Sequence, residues 1–210
     1  MNKAALVLVP GFLAVSACEK PLALSADPIE RAATCGVVAA AEARQGQADF
    51  RAPLSIEAQG KILHPALAIG SETPEFSQDK ASAVVKQMSE RVDAVTDSDW
   101  EKLVEPCATA FPLPAQAAAL PSEPLTAALG CDALGRFMRA ALASDGRYEK
   151  VLAGYNKLES SLDSKVAPLL AKRGATSTEA TQLEKRKALS VFAKLGRPDQ
   201  VMDACVDRYT

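Results

Sequence analysis

The chain has 210 residues, of which 48% are hydrophobic, 24% charged and 5% aromatic, with a formal charge of −2. Apolar content on that scale excludes a disordered chain and supplies a core for one domain or two small ones. The near-neutral balance of 24 Lys and Arg against 26 Asp and Glu lacks the electrostatic footprint of a general nucleic-acid binder, and one histidine excludes histidine-rich metal sites.

The first 18 residues read MNKAALVLVPGFLAVSAC. Lys3 precedes an apolar stretch from Ala4 to Ala14, which has the length of a signal-peptide hydrophobic region. A permanent membrane span needs about 20 apolar residues, and Pro10 and Gly11 break this run. Val15-Ser16-Ala17-Cys18 resembles the lipobox of bacterial lipoproteins, with small residues before a cysteine at the cleavage site. The resemblance covers only these 18 residues. It implies a signal peptide over 1–17, acylation of Cys18, a tether over 18–26, and a body anchored by lipid on the periplasmic side of a bacterial envelope membrane. Cleavage after Ala17 without acylation is the alternative, giving a soluble periplasmic or secreted protein. Cysteine parity favours the lipid: of Cys18, Cys35, Cys107, Cys131 and Cys205, assigning the first to acylation leaves four for two bridges.

From residue 27 every convincing periodicity is helical. Asp27-Pro28-Ile29-Glu30 predicts a helix opened by a cap residue, a first-turn proline and a capping-box glutamate, running to about Gly46. A second helix is expected from near Pro53 to Gly70, bent at Pro65. Ser77 opens a third, with Ala81, Val84, Val85, Met88, Val92 and Val95 as one apolar stripe. Ser98 and Glu101 read as a capping box introducing Trp100, Leu103, Val104, Cys107 and Phe111. Four prolines between 112 and 124 predict a connector without regular structure. Beyond it, a stripe through Leu134, Phe137, Met138, Ala141 and Leu142 closes at Asp145-Gly146. The next runs from Tyr148 to Leu162 with a break or bend near Pro168. A helix from Ser177 through Val191 and Phe192 ends at Gly196, and Pro198 opens the last.

The two halves match in order and spacing. Cys35 and Cys107 are 72 positions apart, Cys131 and Cys205 are 74, and an aromatic residue, Phe111 or Tyr209, follows the second cysteine of each half by four places. This pattern predicts an all-α fold of two tandem, degenerate four-helix repeats, at 27–111 and 125–210, flanking the connector at 112–124. Four cysteines allow three pairings, and equivalence of the halves selects Cys35–Cys107 and Cys131–Cys205. C-x-x-C redox and clustered zinc-ligand spacings are missing from the sequence.

Signals for catalysis are weak. His64 precedes Pro65 at the expected bend and reads as a hydrogen-bonded or half-exposed structural histidine. Ser77-Gln-Asp-Lys80 has the S-x-x-K form of serine–lysine hydrolases without their accompanying motifs and reads as a helix cap. Asp97, Asp99 and Glu101 resemble the start of a calcium loop, but Lys102 stands where glycine is needed. Charge divides unevenly, from −6 over 19–112 to +3 over 113–210, with Lys172-Arg173 and Lys185-Arg186-Lys187 as basic clusters. These features predict no catalytic, cofactor or metal residues. They point to a non-enzymatic envelope binding or adaptor lipoprotein with a membrane anchor, an envelope protein as possible partner and no nucleic acid. Its binding surface is expected in a groove between the units or on the basic face of the second. A periplasmic hydrolase with unlocated carboxylates, or a protective inhibitor of a toxin or wall hydrolase, are the alternatives.

Overall fold

A computed structural model describes residues 23–49, 52–143 and 146–210, so the expected signal segment, Cys18 and the first residues of the expected tether lie outside the described residues. Among the described residues the regular elements are all helical: α1 (Pro28–Arg44), α2 (Ile56–Gly70), α3 (Gln78–Thr96), α4 (Val104–Ala110), α5 (Pro124–Leu142), α6 (Glu149–Arg173), α7 (Thr178–Phe192) and α8 (Pro198–Tyr209). Short 3-10 turns at Trp100–Leu103 and Gly146–Tyr148 lead into α4 and α6.

The helix starts follow local chemistry. The Asp27 side chain accepts from the Glu30 N–H, satisfying one of the donors that α1 leaves without an intrahelical partner, and Pro28 fits the first turn. Ser55, Ser77 and Ser177 cap α2, α3 and α7 in the same manner. Glu123 caps α5 through the backbone N–H groups of Leu125 and Thr126. The Thr126 hydroxyl also donates to it and leads the interactions that hold its carboxyl down at about 2.

Several expectations change in detail. Glu30 does not close a capping box, because its carboxylate is taken by Ser25 and by Arg91 of α3. Ser98 does not cap the helical turn that leads into α4: it follows the end of α3, where its hydroxyl donates to the Val95 carbonyl. Pro168 does not break α6. The carbonyl that loses its donor belongs to Ser164, an exposed residue, so it stays accessible to solvent. α7 stops at Phe192, four residues before Gly196, whose φ of 141° lies in the turn that follows. Val92 and Val191, expected in buried stripes, are 44% and 43% exposed.

Within each half the first helix packs against the second and third, α1 on α2 and α3, and α5 on α6 and α7. The disulfides join the first helix to the fourth in both: Cys35–Cys107, with Cα atoms 5.3 Å apart, and Cys131–Cys205, at 5.6 Å. Other features recur. The first helix of each half starts with an acidic cap followed by proline, the second holds a proline five residues before its end, and the third has a serine cap.

The main hydrophobic core crosses from one half to the other. Leu63, Leu67, Phe76 and Ala81 join Leu134, Met138, Phe192 and Met202 in one buried cluster. Polar ties reinforce the seam. The Tyr148 hydroxyl donates to the Leu54 carbonyl at 2.8 Å and accepts from Gln59 at 2.7 Å, while Arg197 joins Glu57 of α2 to buried Asp199 of α8. The proline-rich connector lies along α7 and α8, with the Ala118 N–H donating to the Leu195 carbonyl at 2.7 Å and Arg208 to that of Pro121 at 3.0 Å.

Candidate functional site: an apolar groove between the first and third helices

Helices α1 and α3 leave a groove of about 710 Å³ between them, within the span typical of small-ligand sites. Its cause is local. On α1 the outward positions beyond the disulfide are Ala40 and Ala41, too small to reach Val92 and Thr96 of α3. Met88 forms part of the wall because Gly36 lacks a side chain: a Cβ there would lie 2.6 Å from the Met88 methyl. Trp100, the sole tryptophan of the chain, and the turn Arg44–Gly46 complete the lining. Val92 is therefore an exposed valine on the wall of a concave surface.

Among the described residues Arg44 is the single cationic side chain in the lining. It occupies the last turn of α1, where the helix dipole favours a positive charge. One terminal nitrogen donates to the Ala52 carbonyl and to Gln47, which holds the side chain in place. Among the described residues no carboxylate pairs with this guanidinium, in contrast to Arg91, Arg136, Arg173, Arg186 and Arg197.

His64 occupies a different place from the one its sequence context implies. It is 7% exposed, and its Nδ1 is buried without a hydrogen-bond partner. The ring forms part of the wall shared by two smaller cavities. One, of about 350 Å³, borders the Cys35–Cys107 bridge with Glu42 and Lys61; the other, of about 390 Å³, holds Glu72 and Lys194 across the seam between the halves. Burial lowers the His64 pKa below the ordinary 6.5, and the Pro112 carbonyl only partly offsets that effect. Folding therefore keeps the imidazole neutral while the unfolded chain takes up a proton below about pH 6.5. The stability of the fold is expected to fall as pH drops from about 7.5 to about 5.5. A His64→Gln variant is expected to show a flatter dependence over that interval, measured by urea denaturation. Equal slopes for the two proteins would rule out His64 as the source.

The remaining sequence candidates resolve into structural roles. Ser77 caps α3 and Lys80 pairs with Glu72. Asp97 ends α3, and Asp99 pairs with Lys102. The basic clusters meet carboxylates: Arg173 with Glu123 and Glu184, Lys185 with buried Asp132, Arg186 with Glu75, and Lys187 with Glu184. Two clefts straddle the seam between the halves, one beside His64 and one of about 400 Å³ between Phe76 and Arg136, and each is smaller than the groove on the first half. Asp203 on α8 has its pKa raised, by burial and by the nearby Asp199 and Asp207 carboxylates, but it does not line the groove. Sequence periodicity missed the groove because it treats Val92 as one more member of the α3 stripe. The available signal was the Ala40-Ala41 pair facing that stripe. The chain matches no protein family, no curated protein and no solved structure.

Proposed function

We propose that this chain is a non-enzymatic binding or adaptor lipoprotein of the bacterial cell envelope, anchored through acylated Cys18, with the groove between α1 and α3 as its binding surface. The groove carries the reading: among the described residues its lining is mainly apolar, with one cation that no carboxylate neutralises and no paired carboxylates of the kind a hydrolase would present. The lipobox-like Val15-Ser16-Ala17-Cys18 supports the anchor, and two disulfides are compatible with an oxidising compartment. The matched helix caps, internal prolines and disulfides of the halves support an origin by duplication, after which the first half kept the open face.

Intact mass of envelope-purified protein tests the anchor. The expected species starts at Cys18, carries acyl chains, and gains the mass of four hydrogens on reduction. An unmodified chain starting at Cys18 would replace the lipoprotein reading with a soluble exported one. Native mass spectrometry of the wild type and of Ala41→Phe, which fills the groove, tests the binding surface. A bound species lost in the variant supports it, and an unchanged spectrum counts against it.

A further inference from the structure

Resting on that reading of the groove, we infer that its ligand is a single-chain fatty carboxylate, its alkyl tail laid along Met88, Val92 and Trp100 and its head group on Arg44. Backbone chemistry favours an alkyl chain over an extended peptide as the occupant. The walls are helices whose own N–H and C=O groups are already paired, so a peptide's backbone groups would enter without partners, whereas an alkyl chain needs none. Arg44 then decides the head group. A guanidinium recognises planar anions through parallel N–H donors, and this one is held by Ala52 and Gln47 with no carboxylate among the described residues to neutralise it. A single cation matches the single charge of a carboxylate, while a phosphate monoester carries close to two at neutral pH.

A second copy of the chain fits less well. Stable interfaces bury roughly 1,200–2,000 Å², and the large exposed hydrophobics among the described residues are Val92, in the groove, and Val191, on α7. Among the described residues the groove therefore has no surrounding apolar rim on which a partner surface could rest.

Trp100 provides the readout, because it is the sole tryptophan and lines the groove. Titrating the full mature protein with dodecanoate, below its micelle concentration, is expected to shift Trp100 emission to the blue with a saturating curve. Arg44→Gln is expected to weaken dodecanoate about tenfold and to leave dodecanol binding unchanged. Val92→Glu, at an exposed position that the fold does not depend on, is expected to weaken both ligands. Dodecyl phosphate binding more tightly than dodecanoate would overturn the head-group assignment. An emission change insensitive to Arg44→Gln would overturn it too. No emission change with any of the three ligands, in a protein whose native mass spectrum still responds to Ala41→Phe, would overturn the fatty-ligand inference and leave the binding groove standing. A dimer in sedimentation that Ala41→Phe converts to monomer would reassign the groove to self-association.

Discussion

Replacing Cys131 and Cys205 together by alanine is expected to cost about 4 kcal/mol of unfolding free energy from chain entropy alone. The bridge closes 74 residues and keeps the unfolded chain from sampling states in which α5 and α8 are far apart. A packing loss is added to this. Both sulfurs belong to residues with no exposed surface, inside the cluster shared by the two halves, so truncation leaves unfilled volume where the core is widest. Cys35 and Cys107 close a loop of nearly the same length, 72 residues, and their removal carries a similar entropic loss. They lie in a smaller cluster with Val37, Val95 and Leu103 and keep slight exposure, so the surroundings relax more easily. Urea denaturation of the two double variants, followed by far-UV circular dichroism, separates these contributions. Both midpoints should fall, and that of the Cys131/Cys205 variant should fall further. A midpoint unchanged in either variant would show that the bridge adds nothing to net stability.

The bridges were legible from sequence because they depend on spacing along the chain, and the two pairs are separated by 72 and 74 residues. The helices were legible for a related reason: Asp27-Pro28, Ser77, Ser177 and Pro198 act within one turn of themselves, so their effect is local. Detail failed where a neighbouring element competed for the same group. Glu30 is drawn to Arg91, 61 residues away, and Ser98 is claimed by the end of α3. The groove was hidden for the same reason. Whether Val92 is covered depends on the size of Ala40 and Ala41 across the helix pair, and no periodicity within α3 contains that information. His64 likewise has Pro65 as its local context, while its burial comes from the Pro112 segment folding back over it. The core crossing the seam was equally invisible, since each half taken singly offers a complete apolar stripe.

Phe192→Ala is expected to cost about 3–5 kcal/mol, the range for deleting a large aromatic side chain from a filled core. The ring is 1% exposed and closes the core from the last turn of α7. Its seat on α5 is Gly130, where a Cβ would come within 2.0 Å of the ring edge. Alanine is the better helix former by about 1 kcal/mol, so propensity alone predicts that Gly130→Ala stabilises α5. The contact predicts the opposite: the ring is enclosed on all sides by the largest core cluster and cannot retreat, and overpacking of this kind costs about 1–3 kcal/mol. The two effects separate in a double-mutant cycle with Phe192→Leu, which shortens the side chain facing Gly130. Gly130→Ala should destabilise the wild-type background and become neutral or stabilising beside leucine. If alanine at 130 instead raises the denaturation midpoint in both backgrounds, the ring does not rest against α5, and the packing of α5 on α7 that joins the core to the Cys131–Cys205 bridge must be redrawn.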